Sequence, residues 1–169
     1  MKGLAVLLSG FVLLLSAGCK PSVKSRDITP LARKQAASLG SEADFAATLK
    51  DLRRAEGLYQ KAAGLCPDEP SYWENLGIAR RKLGETKGAR TAYGEALAVY
   101  RENYRRDRNP ADVLHQMWLL SLLGRNDEAA RLLQKGRVDH PADPRIRQAA
   151  DPKWLEEMRR NPGFKAIAL

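Results

Sequence analysis

Ala55, Tyr59 and Ala62 stand thirty-four residues before Ala89, Tyr93 and Ala96. A chain that repeats the same apolar positions at a fixed spacing is constrained to stack copies of one unit, because a single unit leaves a face uncovered. The unit is clearest in WENLGIARRKLGETKGARTAYGEAL, Trp73 to Leu97. Trp73, Leu76 and Ile78-Ala79 line a first helix, Gly84 breaks it, and Ala89, Tyr93, Ala96 and Leu97 recur at helical spacing on a second. Small residues at Gly77, Ala89 and Ala96 allow the two backbones to approach, while Trp73, Leu76 and Tyr93 fill the remaining space. Downstream the spacing becomes forty: Gly124 answers Gly84, Ala129 answers Ala89, and Leu133 takes the place of Tyr93. Pro67 and Pro141 close the outer units. The six extra residues fall in ALAVYRENYRRDRNP and predict a longer second helix in the middle unit.

These residues resemble the tetratricopeptide repeat, whose pattern is W-x2-L-G-x2-Y, then A-x3-F, then a closing proline. Trp73, Leu76 and Gly77 match the first helix of that pattern, and Ala89, Tyr93 and Ala96 match the second. Arg80 departs from it, standing where the aromatic is expected, as does Arg101 at the closing proline. The resemblance implies an all-α fold, a right-handed superhelical stack of about three helical hairpins with a C-terminal capping helix segment. The repeat domain is placed at 30–141, in units of about 30–69, 70–109 and 110–141, with capping helices over 142–169.

The beginning of the chain reads differently. Met1-Lys2, an apolar run from Leu4 to Leu15, and Ser16-Ala17-Gly18 before Cys19 form the pattern of a secretory signal over 1–18. The apolar run is too short for a membrane-crossing helix, which needs about 20 residues. Ser-Ala-Gly-Cys resembles the lipobox of bacterial lipoproteins, and that resemblance implies acylation of Cys19. Two or three acyl chains, at about 0.8 kcal/mol per buried CH2, would anchor the protein stably. Lys20, rather than an aspartate, follows the cysteine and favours the outer membrane, at its periplasmic face. Residues 19–29 read as a polar tether carrying Pro21.

Thr29-Pro30 is a helix start, with threonine as cap and proline at the first helical position. Leu31, Leu39, Ala43, Ala46 and Leu49 are expected to share its buried face, in a helix that is either unusually long or broken near Gly40-Ser41. Lys50-Asp51-Leu52 takes the place of a turn, and Leu52 to Leu65 is the second helix. Asp68 with Pro70, and Asn109 with Pro110, start the next two hairpins. The first helix of the third unit, with Leu114, Met117, Trp118, Leu119, Leu120, Leu122 and Leu123, is apolar nearly all round and so is covered on more than one side. Met117 stands where the middle unit has Gly77. Asp143-Pro144, Asp151-Pro152 and Asn161-Pro162 each predict a short helix, docked through Ile146, Trp154, Leu155, Met158, Phe164 and Ile167. Arg159, Arg160 and Lys165 are expected on its wet side.

No convergent catalytic chemistry is legible. His115 and His140 lack metal-ligand spacing, and no HExxH, GxSxG or phosphate-loop pattern occurs, so no enzyme, metal, cofactor or small-molecule substrate is expected. Cys66 is the one thiol besides Cys19 and is expected to pack between units. The net charge is +9, and removing residues 1–18 takes away only Lys2, leaving +8. In an envelope that charge meets lipid, glycan or acidic protein rather than nucleic acid. Arg80, Arg81, Lys82, Lys87 and Arg90 form its densest cluster.

Members of the resembled family commonly bind a peptide on the face lined by the first helix of each unit. The positions carried over are Asp44, Asn75, Ile78, Arg81, Lys82, His115 and Trp118. The Lys-and-Asn clamp that some members use for a terminal carboxylate is absent. The sequence therefore reads as a lipid-anchored adaptor that holds another envelope protein through this groove. The competing reading is a basic module for anionic glycan or lipid, with the repeats as scaffold.

Overall fold

The computed structural model describes residues 27–169, so the predicted signal segment and Cys19 lie outside the described residues. Among those residues there are nine helices and no strand: α1 (Pro30–Thr48), α2 (Leu52–Leu65), α3 (Pro70–Lys82), α4 (Thr86–Asp107), α5 (Pro110–Leu122), α6 (Asn126–Asp139), α7 (Pro144–Ala149), α8 (Pro152–Arg160) and α9 (Pro162–Ile167). The first six helices form three antiparallel hairpins, α1–α2, α3–α4 and α5–α6. Each helix packs chiefly on its neighbours in sequence. This is the all-α hairpin stack that the repeating positions predict. The longer helix predicted in the middle unit is α4, with 22 residues.

All three hairpins turn in the same way. The amide of the residue after the turn reaches back five positions, from Asp51 to the Ala46 carbonyl (2.9 Å), from Glu85 to Arg80 (2.8 Å) and from Arg125 to Leu120 (2.8 Å). That closure places one residue in the left-handed region. Gly84 (φ +82) and Gly124 (φ +72) occupy it freely, whereas the first hairpin uses Lys50 (φ 61). The period of thirty-four and the period of forty thus meet in one backbone motif. Every predicted cap-and-proline start begins a helix. Thr29, Asn109, Asp143, Asp151 and Asn161 each accept an amide hydrogen bond at the head of a helix that opens with proline. At α3 the cap is Glu69, the residue directly before Pro70. Asp68 instead pairs with Arg33 of α1 at 2.7 Å.

The core repeats with the turns. Ala55, Ala89 and Ala129 are fully buried, as are Tyr93 and Leu133, and Tyr59 is nearly so. In the middle hairpin a side chain at Gly77 would meet the Tyr93 ring. In the third hairpin Met117 fills the position of Gly77, and the close approach moves to Gly136 of α6, which faces Val113 and Ile146. α5 buries eight of its thirteen residues, including Asp112, Gln116 and Ser121, and is covered on more than one side as expected.

α1 departs from its expected face. Leu31 is 65 % exposed and Leu49 63 %, and the buried stripe is Ala36, Gly40, Ala43 and Ala46. Ala43 and Ala46 are buried as expected and Leu39 packs partly against Ala36, Ala62 and Cys66, so the small residues define the close crossing while Leu31 and Leu49, at the two ends, stay outside it. The helix runs unbroken through Gly40-Ser41, with the Gly40 backbone lying against the Tyr72 ring. Arg159 is a second departure: it is half-buried, and its Nε and Nη2 atoms are covered rather than in water.

Helices α7–α9 do more than cover the last hairpin. α7 packs on α5 and α6, α8 connects, and α9 returns to α3. Leu155, Phe164 and Ile167 enter the same core cluster as Tyr93, Leu119 and Leu122.

Candidate functional site

The face carried by α3 and α5 presents different side chains at its two ends. Toward the C-terminal ends of both helices, the segment Phe164–Leu169 lies across it. Arg81, on the last turn of α3, donates through Nε to the Ala168 carbonyl at 2.7 Å. The Tyr93 hydroxyl, in a buried position, donates to the Ile167 carbonyl at 2.8 Å. The Leu169 amide donates to the carbonyl of Leu122, the last residue of α5, at 2.8 Å. Trp118 meets the Phe164 ring edge-on, with centroids 5.2 Å apart and planes at 74°. Three elements therefore grip one short segment largely through its main chain.

Further toward the start of α5, His115 stacks on Tyr100, with centroids 4.5 Å apart and rings nearly parallel. Its Nδ1 lies 3.8 Å from Glu74 of α3. The Glu74 side chain is only 16 % exposed. Burial pushes its carboxyl above the ordinary range, and the neighbouring Trp118 indole pulls only partly the other way. Burial also lowers His115 below its usual value, against the opposing charge of Asp112. Burial thus disfavours the charged form of both members of the pair.

The seven residues carried over from the resemblance have different surroundings. Arg81 and Trp118 both touch Phe164–Leu169. Ile78 is partly buried against the main core. Asn75 is half-buried, Lys82 is exposed, and His115 is held by Tyr100. Asp44 is on α1 and accepts a 2.5 Å hydrogen bond from Tyr59. Phe164 and Ile167 are docking residues as the sequence predicts, whereas Tyr93 as a hydrogen-bond donor here and Glu74 as a buried acid were missed.

The basic cluster is divided. Arg80 points to the other side of α3, where it pairs with Glu56 at 2.9 Å and reaches Gln60 of α2 at 3.0 Å. It replaces the expected aromatic with a largely buried ion pair between hairpins. Arg81 is tied to Ala168, which leaves Lys82, Lys87 and Arg90 exposed. Cys66 is 4 % exposed. Burial, with Asp68 at 3.1 Å, pushes its thiol up to about 11. No group of three metal-ligating side chains occurs among the described residues, and no described helix is long and apolar enough to cross a membrane.

The buried acid gives a pH prediction. A carboxyl whose folded value is raised contributes stability when protonated and loses it as pH rises through that value. Glu74→Gln, neutral throughout, should therefore melt above the wild type at pH 8. That advantage should fade as pH falls toward 4.5, where the wild-type carboxyl is also neutral. Thermal melts across this range check it, and a variant that melts lower at pH 8 would mean a cation already compensates the charge.

No family model matches the chain, and no curated protein matches it. Among solved structures it is similar to the tetratricopeptide-repeat domain of Arabidopsis OM64, with 17 % identity over 75 % of this chain and 98 % of that one, at a TM-score of 0.48.

Proposed function

We propose that this protein is a non-catalytic, lipid-anchored adaptor that holds another envelope protein through the face of α3 and α5. One observation carries the reading: that face, with Tyr93 of α4, holds the chain's own segment Phe164–Leu169 by its main chain, through Arg81 and Tyr93, beside an aromatic wall at Trp118. Donors aimed at the last carbonyls of a short helix, with a neighbouring aromatic, suit a protein segment and supply no chemistry for turnover. The anchor in this proposal is Cys19, with residues 20–29 as tether and the periplasmic face of the outer membrane as the site, on the strength of Lys20 after the cysteine.

Two measurements test it. Labelling with a fatty-acid analogue should mark the wild type and miss Cys19→Ser; equal labelling of both, or of neither, removes the anchor. Crosslinking in the native membrane should capture a discrete partner, and Arg81→Ala should reduce that capture while leaving the array folded. Capture that is indifferent to Arg81 but falls steeply with added salt would point to a charged surface instead.

A further inference from the structure

We propose that Phe164–Leu169 is an internal ligand of the α3–α5 face, and that a partner engages by displacing it with an apolar segment bearing an aromatic and an aliphatic residue three positions apart. This rests on the adaptor reading and names how its site is controlled. The contacts that hold the segment are of the kind a second peptide could reproduce. Two are donated to carbonyls, from Arg81 and Tyr93, and one joins the Leu169 amide to the Leu122 carbonyl. None of the three depends on a side chain of the segment. The side chains that do matter, Phe164 and Ile167, are 7 % and 9 % exposed and face Trp118 and the core around Tyr93. Lys165 and Ala166 point outward.

The segment is also built to come away as a unit. α9 has six residues, far fewer than a helix needs to persist by itself, so it holds its shape only while docked. It follows the turn at Asn161-Pro162, where α8 ends and Asn161 caps α9. Its contacts with helices of the repeats are made chiefly to α3. Segments with few partners open locally without global unfolding. Opening would expose Trp118, Tyr93 and Arg81 together. A partner would then meet a site whose apparent affinity is reduced by the fraction of time the segment is docked.

The test uses the full chain and a fluorescein-labelled peptide of residues 161–169, followed by anisotropy. Wild type should bind it weakly. Ile167→Asp, which weakens the internal copy, should bind it at least tenfold more tightly, and Arg81→Ala in that background should reverse the gain. A labelled peptide carrying the same Ile167→Asp change should bind neither. Hydrogen exchange on the unaltered protein supplies an arm independent of the variant's folding. The Leu169 amide should exchange at least a hundredfold faster than the Leu120 amide in α5. Equal protection of the two would make the segment a fixed part of the core and overturn the proposal. So would failure of folded Ile167→Asp to bind the peptide better than wild type. A concentration-dependent wild-type dimer, released by the peptide, would place a second copy's segment on this face and overturn the internal assignment. Partner capture without any peptide binding would sink the internal ligand and leave the adaptor standing. Peptide binding with no membrane partner would do the reverse.

Discussion

Gly77→Ala should destabilise the protein by about 2 kcal/mol or more, although alanine is the better helix former by about 1 kcal/mol. A Cβ at position 77 would lie 2.4 Å from both Cδ1 and Cε1 of Tyr93. The ring has nowhere to go: Tyr93 is fully buried, and its hydroxyl is held by the Ile167 carbonyl. Moving it opens a void among Ala89, Ala96 and Leu97 and breaks the contact that docks α9. Two other helical glycines calibrate the measurement. At Gly40 the new Cβ would meet the Tyr72 ring at 2.7 Å, but that ring is half-exposed and free to swing outward, so the cost should be smaller. At Gly57 nothing lies within 4 Å, and alanine should stabilise by up to about 1 kcal/mol. Urea unfolding of the three variants should therefore rank Gly57→Ala, Gly40→Ala and Gly77→Ala from most to least stable. If Gly77→Ala matches Gly57→Ala, the packing of α3 on α4 differs from that described.

The role of Gly77 is legible in the sequence itself, because a helical hairpin buries local, periodic positions. Ala89, Tyr93 and Ala96 announce their equivalents at a fixed distance, and proline after a capping side chain marks each helix start. Legibility fails where hydropathy and packing separate. At the two ends of α1 the exposed Leu31 and Leu49 have the hydropathy of core residues, whereas Ala36, Gly40, Ala43 and Ala46 are the interface. Small residues carry little hydropathy signal, yet a close crossing admits little else. The first turn is obscured because Lys50 stands where the other hairpins have glycine. At the candidate site the limit is distance. The repeat pattern places Arg81 and Trp118 on one face, but Arg81 meets a carbonyl eighty-seven residues away. No local pattern encodes that contact, since it depends on α7–α9 folding back past α5 to reach α3. Arg159 is illegible for the same reason: its charge predicts water, and its placement follows from how α8 lies on the array.

Trp118→Ala should cost about 3 kcal/mol, the lower end for truncating a packed tryptophan, because this indole is half-buried rather than enclosed. Three losses combine. The edge-on contact with Phe164 disappears, and such aromatic pairs add about 1 kcal/mol beyond the area they bury. The partly buried surface against Leu119, Leu122 and the neighbouring core becomes wet. Glu74, already pushed toward its neutral form by burial, loses the indole that pulls the other way, and an unpartnered buried carboxylate is costly. Trp118→Phe separates these contributions: it keeps most of the packing against Phe164 but removes the indole beside Glu74. Its melting temperature should fall between wild type and alanine, with the gap to wild type narrowing as pH falls toward 4.5 and Glu74 becomes neutral. The same pair of variants decides what the residue does. If Trp118 only braces the core, both lose stability and neither speeds exchange at Leu169 more than at the other amides. If it forms the wall on which Phe164–Leu169 docks, alanine should speed exchange at Leu169 by tenfold or more while the amides of α1 and α2 keep their protection. Uniform loss of protection across all the helices would assign Trp118 to the core alone.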